Sequence, residues 1–335
     1  MKIKKRFVVF IFFIIISLFL VFSNDEIMRS LQLSILSQSI HRDISCYQKL
    51  STKDSFPRFD IHKENIRLAA GRNIFFHETS CFGELGHAEL NYRQACAVES
   101  AARMNPNMLV NLLFLSPSSP SNRTSLILEK LLEYENVRVN RVQINEYVMG
   151  TPIEQWFAIN ILETSNWPRS HMSDIMRFLT LWKYSGIYLD LDVVVTSSLE
   201  DLTDFAGAED WIDVAAGVIG FSRTELGRSI ANACIQDLMK NFRGNLWGNN
   251  GPGVITRTLQ KFCAVQHVKD MTSIHCKGFK VFPPAVFYPI FYKDWKDYFS
   301  TKNINETMNV GSKVPYALIA EKYCPNVYES CGSIF

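Results

Sequence analysis

The hydropathy of the chain divides it before any motif is considered. Phe7 to Phe22 reads FVVFIFFIIISLFLVF, an apolar run broken only by Ser17 and preceded by Lys2, Lys4, Lys5 and Arg6. As a helix it spans about 24 Å at about 1.5 Å per residue, close to the core of the thinner secretory membranes. The run is longer than the apolar stretch of most cleaved signal peptides and Ser23 is a poor cleavage site, so residues 7–22 are expected to be an uncleaved transmembrane signal anchor. The basic cluster before it, against Asp25 and Glu26 after it, places residues 1–6 in the cytoplasm and the rest in the lumen. Residues 23–70 are polar with scattered apolar positions and read as a stem.

From residue 73 the pattern becomes that of a folded domain. Asn73 to His77, Leu109 to Leu115 and Val137 to Ile144 are short apolar runs with strand character. Between them, Leu90 to Met104 reads as a helix closed by Asn105-Pro106, and Ser125 to Tyr134 as a second one behind the Ser/Pro loop Ser116 to Ser121. This alternation predicts an α/β fold with a mostly parallel central sheet flanked by helices. Ser173 to Trp182 then sets Ile175, Phe178, Leu179 and Trp182 on one helical face, with Gly186 at the C-cap position, and Ile187 to Val195 (IYLDLDVVV) reads as a strand. Downstream, Trp247 to Gly253 is a Gly-rich turn before a helix over Val254 to Phe262, and aromatic residues crowd Phe279 to Phe299.

Composition narrows the function classes. The 335 residues are 47% hydrophobic and 20% charged, a globular balance, and the net charge of +2 offers no electrostatic footprint for nucleic acid. The eight cysteines form no CxxC pair and no Cys/His cluster at zinc spacing, so oxidised pairs in an exported domain are expected. Connectivity does not follow from sequence, although Cys81 to Cys96, Cys263 to Cys276 and Cys324 to Cys331 are each close enough to close a short loop. Asn122-Arg123-Thr124 and Asn305-Glu306-Thr307 are glycosylation sequons, compatible with a lumenal domain.

The chemistry concentrates on Asp190 and Asp192. On a strand they would share one face about 7 Å apart, and two like charges among apolar residues call for a cation, of which Mn2+ or Mg2+ fits oxygen ligands best. A D-x-D triplet alone is weak, since surface loops often carry one. Asp174 and Arg177 lie on one side of the preceding helix, either as a local ion pair or as groups that meet a bound phosphate and sugar hydroxyls. Asn249, Asn250 and Gly251 either line a polar crevice or simply lead into a helix, and the late aromatics either offer flat faces suited to sugars or, for most of them, read as core.

Ser173 to Asp192 (SDIMRFLTLWKYSGIYLDLD) resembles the nucleotide-sugar glycosyltransferases that carry a DXD sugar-binding region. Phe75 to Cys81, Arg93 to Ala102, Trp247 to Arg257, Tyr288 to Phe299 and Ala320 to Tyr328 resemble the lactosylceramide 4-alpha-galactosyltransferase-like, or alpha-1,4-glycosyltransferase, branch, over about residues 73–331. The resemblance implies a GT-A type fold in a lumenal domain of residues 71–335, with a DXD region over about 73–200 and an alpha-1,4-glycosyltransferase region over about 201–335. It implies a single-pass type II Golgi membrane protein, compatible with a homo-oligomer. The implied reaction is retaining alpha-1,4 transfer of galactose or N-acetylgalactosamine from UDP-galactose or UDP-N-acetylgalactosamine to the terminal sugar of a glycosphingolipid. By residue, it gives Asp190 and Asp192 the metal, Asp174, Arg177, Asp190 and Gly251 the donor, and makes Asn249 and Asn250 the catalytic candidates.

One departure qualifies it. The family carries a His-x-Trp-Asn segment after the aromatic region, and its histidine resembles a third metal ligand. Here Asn309-Val310 runs straight into Gly311-Ser312, and His275 is the last histidine. The alternative that follows is a homologue with impaired or no turnover that binds glycans or a partner in the lumen. A metal-dependent phosphohydrolase is a weaker one, because the additional His/Asp ligands of a two-metal site are missing.

Overall fold

The computed structural model describes residues 44–49, 55–59, 72–83, 86–299, 314–332 and 335. The expected tail, anchor, most of the stem, Asn305 and the Val310-Gly311 junction lie outside them. Among the described residues no helix is long and apolar enough to cross a membrane.

Among the described residues, seven strands form one sheet in the order β3-β2-β1-β4-β6-β5-β7. The first four in that order, β3 (Val137–Arg141), β2 (Leu109–Phe114), β1 (Asn73–Glu78) and β4 (Gly186–Leu189), pair in parallel, as the alternation of strand and helix predicts. Beyond β4 one strand reverses. β6 (Val214–Phe221) is antiparallel to β4 and to β5 (Phe205–Ala208), while β7 (Lys280–Phe282) is parallel to β5. The sheet is therefore mostly parallel, as expected, with β6 alone running against the other six strands. The physical reason for its reversal is the five-residue link 209–213 between β5 and β6, far too short for the crossover that a parallel pair needs.

Side chains of β1 alternate between two cores. Phe75 joins the layer of α3 (Pro168–Tyr184), α4 (Glu225–Asn241) and α5 (Pro252–Cys263). Ile74 and Phe76 join the layer of α1 (Tyr92–Met104), α2 (Asn122–Leu132), α6 (Pro315–Tyr323) and α7 (Pro325–Ser330). Local signals set the helix ends. Asn91 and Gln94 form a reciprocal capping box on α1, and Pro168 opens α3. At its other end Ser185, not Gly186, is the C-cap residue with φ +58°, and Gly186 opens β4 at φ +111°. A Cβ there would lie 2.5 Å from the Asn73 carbonyl oxygen, so glycine lets β4 close on β1.

Three disulfides are present among the described residues: Cys46–Cys81, Cys96–Cys324 and Cys263–Cys276. Only the last matches an expected short loop. Cys81 and Cys96 belong to opposite cores and cannot meet across the sheet. Cys324 and Cys331 flank α7, whose rise of about 9 Å exceeds the reach of a disulfide. Cys331 and the buried Cys234 are free thiols. The described part of residues 23–70 is not a free stem: Cys46 is bonded to the domain, and Tyr47, Phe56 and Phe59 are buried in its cores.

Candidate functional site

β4 ends at Leu189, so the expected strand Ile187 to Val195 stops before the two carboxylates. Asp190 and Asp192 sit in the turn beyond it, anchored by the Asp190 N–H donating to Gly217 O at 2.9 Å and the Val193 N–H donating to Asp190 O at 3.1 Å. The turn, rather than strand alternation, brings both to a cavity of about 860 Å³. The cavity opens at the carboxyl ends of β1 and β4, where open α/β sheets hold their ligands.

Arg177 organises the floor. Its side chain is only 8% exposed and lies 3.3 Å from Asp174 Oδ1 and 3.3 Å from Asp190 Oδ1. It also donates to Ala216 O at 2.8 Å and Ser173 Oγ at 3.0 Å, and stands over the Tyr188 ring. Burial disfavours its charge, but Asp190, Tyr188 and Asp174 outweigh that and hold its pKa above the ordinary value. The Tyr188 hydroxyl donates to Asp190 Oδ1 at 2.6 Å. Burial raises Asp174 to about 7 against the pull of Arg177, and burial with the neighbouring Asp190 raises Asp192 to about 6.

Gly251 meets this cluster from the other side. A Cβ there would lie 2.2 Å from Asp174 Oδ1, so only glycine lets the α5 loop pack on that carboxylate. Asn249 and Asn250, the expected catalytic candidates, do not line the cavity. Asn250 is fully buried, accepts from the Arg243 N–H and donates to Arg243 O, both at 2.9 Å. Asn249 accepts from Arg257 at 3.1 Å and donates to Asn241 O at 2.8 Å. Their amides are consumed in holding the loop.

The structure adds His77 and Glu209 to the cavity and brings Tyr288 and Tyr292, from the late aromatics, to it with Trp247. The Tyr288 hydroxyl is buried without a hydrogen-bond partner among the described residues, and a Cβ on Gly217 would come 3.3 Å from it and 2.7 Å from Asp190 Oδ2. No sequence period marks Tyr288, since it lies among aromatics that mostly pack.

A divalent cation fits this donor set. Among the described residues no three His, Cys, Asp or Glu side chains cluster to form a closed metal site. Asp190 and Asp192 instead supply the two carboxylates with which Mg2+-like ions commonly bind phosphates. Among the described residues, Arg177 is the cation in contact with Asp174 and Asp190, and with Asp192 beside them the carboxylates outnumber it, so added positive charge suits the site. Among the sequons, Asn122 is exposed at the start of α2, while its Thr124 is buried and accepts from the Leu90 N–H at 2.9 Å.

Residues 91–210 match a glycosyltransferase sugar-binding region containing the DXD motif, and residues 223–310 match an alpha 1,4-glycosyltransferase conserved region. The chain is 30% identical over 281 residues to lactosylceramide 4-alpha-galactosyltransferase of Pan troglodytes, covering 77% of this chain and 77% of that protein. It is 27% identical over 299 residues to alpha-1,4-N-acetylglucosaminyltransferase of Homo sapiens, covering 81% and 84%. A solved structure described as PaToxG Glycosyltransferase is similar at 17% identity with a TM-score of 0.42, covering 70% of this chain and 78% of its own. These two matched regions meet across the cavity, the first bringing Asp174, Arg177, Asp190 and Asp192 and the second bringing Trp247, Gly248, Pro252 and Tyr288. The chain belongs to the alpha-1,4-glycosyltransferase family with a DXD sugar-binding region.

Proposed function

We propose that this domain is a GT-A type retaining hexosyltransferase that moves galactose or N-acetylgalactosamine from its UDP-sugar, in alpha-1,4 linkage, to the terminal sugar of a glycosphingolipid. The observation that carries the reading is the Asp174–Arg177–Asp190 cluster, with Asp192 beside it, on one cavity at the carboxyl end of β4. The names of the relatives supply the linkage and the lipid class. The oxidised cysteines and the basic flank of the apolar run support a type II protein of the Golgi membrane with this domain in the lumen.

Asp190 and Asp192 would hold Mn2+ or Mg2+, which when bound supplies Lewis-acid stabilisation of the departing diphosphate. Arg177 and Tyr188 fix the Asp190 carboxylate. Gly251 and Asp174 close the donor side, and the unpartnered Tyr288 hydroxyl offers a hydrogen bond to a donor oxygen. The acceptor hydroxyl oxygen bonds to the anomeric carbon, the bond from that carbon to the diphosphate breaks with its electron pair, and the hydroxyl proton leaves with the UDP.

The test is full-length protein in detergent with UDP-galactose or UDP-N-acetylgalactosamine, Mn2+ and a lactosyl glycolipid. Transfer is expected, and Asp192→Asn should abolish it while leaving the melting temperature within a few degrees. Transfer by Asp192→Asn at the wild-type rate overturns the assigned role. Sugar binding without turnover would instead mark a glycan-binding homologue.

A further inference from the structure

The loop from Arg243 to Gly251 is cross-linked more heavily than a helix-leading loop requires. Asp237 on α4, with 4% of its side chain exposed, is held by Arg257 of α5 through Nε at 2.8 Å and Nη2 at 2.6 Å. Arg257 passes on to Asn249, donating to Oδ1 at 3.1 Å and to the backbone oxygen at 3.2 Å. Asn250 bridges back to Arg243, and the Asn166 N–H donates to Gly244 O at 2.9 Å. What the bracing presents is Trp247, 61% exposed and on the wall of the cavity. That indole is not core. Tyr292, 56% exposed, lies on the same cavity.

We propose that Trp247, with Tyr292, forms the acceptor-sugar subsite, and that the Asp237–Arg257–Asn249 chain is a positioning device that fixes the indole. This rests on the glycosyltransferase reading above and names which part of the cavity takes the acceptor. An aromatic face stacks on the C–H face of a pyranose, and bracing the loop beforehand lowers the ordering cost of binding. In a terminal β-galactoside the C–H face at carbons 3 to 5 lies opposite the axial 4-hydroxyl. An indole against that face leaves the 4-hydroxyl turned away from it, free to attack.

The experiment uses the full-length protein with methyl β-lactoside as acceptor at saturating UDP-sugar. Trp247→Ala is expected to raise the acceptor KM about 3- to 10-fold, with the donor KM moving less than about twofold, and Trp247→Phe to recover most of the loss. Asn249→Ala should shift the acceptor KM in the same direction and spare the donor KM, a split that general destabilisation would not give. An unchanged acceptor KM in Trp247→Ala, or a donor KM that rises equally, overturns the proposal. If wild-type protein transfers nothing, the functional reading fails separately, and saturation-transfer NMR of methyl β-lactoside then decides the subsite. Loss of signal in Trp247→Ala supports it; equal signal in both proteins, or none in the wild type, overturns it.

Discussion

Acid should destabilise this domain through one imidazole. His77 on β1 is 5% exposed, with Nε2 at 3.1 Å from Thr180 Oγ1, which is itself 2.8 Å from the Tyr147 hydroxyl. Its Nδ1 is buried without a partner among the described residues. Burial first, and the Arg177 charge second, lower its pKa from 6.5 to about 3. Because the folded value lies below the unfolded one, its contribution to stability is complete above 6.5 and is lost as the pH falls toward 3. At pH 5 the unfolded chain binds the proton and the folded one does not, which favours unfolding by about 2 kcal/mol. For a domain of this size that is about 4–8 °C in melting temperature. His77→Gln keeps an amide near Nε2 and removes the titration. Thermal unfolding of both proteins at pH 7.5 and pH 5.0 gives a double difference in which the carboxylates cancel, and the variant should lose about 4–8 °C less than the wild type on acidification. Equal losses would refute the assignment of a neutral buried imidazole.

Gly251→Ala should cost about 1–3 kcal/mol, because its methyl meets Asp174 Oδ1 at 2.2 Å. Calorimetric titration should also show weaker UDP binding in Mn2+, and unchanged melting and affinity would contradict the packing argument. Arg257→Ala leaves the buried Asp237 with Lys261 and Asn241 alone, a loss of about 2–4 kcal/mol in urea unfolding. The bonds from Arg257 and Lys261 hold the Asp237 pKa down despite burial. That stabilisation is present above the ordinary carboxylate range and disappears on acidification, so the deficit of the variant should shrink at low pH. Replacing Cys96 and Cys324 by serine opens a 228-residue separation and should cost about 4–5 kcal/mol, whereas Cys331→Ser should leave the melting temperature unchanged.

Periodicity made the first half of the fold legible. Asn73 to His77, Leu109 to Leu115 and the helix ending at Met104 were visible because their apolar positions repeat with the period of the element and end at turn residues. β5 and β6 were not, since FAGA and VAAGVIGF are apolar runs rich in Ala and Gly and buried on both faces, with no alternation to read. The reversal of β6 followed from a link whose flanking strands had to be known first. Asp190 and Asp192 were legible as chemistry but not as geometry: β4 pairs with β6 only as far as Leu189 opposite Val218, and the chain then turns. Asn249 and Asn250 show the opposite failure, as amides at a glycine-rich turn look alike whether they face a ligand or tie a loop to a distant Arg257.

The contacts of Arg177 also bear on the charge that a bound diphosphate would meet. Sequence alone left open that its guanidinium neutralises a bound phosphate. In the folded chain Nε faces Ser173 O, Nη1 serves Ala216 O and Asp190, and Nη2 serves Ser173 Oγ with Asp174 and Asp190 on either side. Most of its N–H groups are engaged within the cluster, so its charge is shared with Asp174 and Asp190, and the cluster stays anionic where the diphosphate of a nucleotide sugar would bind. Two like charges about 4 Å apart repel by about 4 kcal/mol even at an effective dielectric near 20. A dication held by Asp190 and Asp192 would remove that repulsion. A histidine ligand is neutral and would add affinity but no charge, so the electrostatic need for the cation holds with the two aspartates alone.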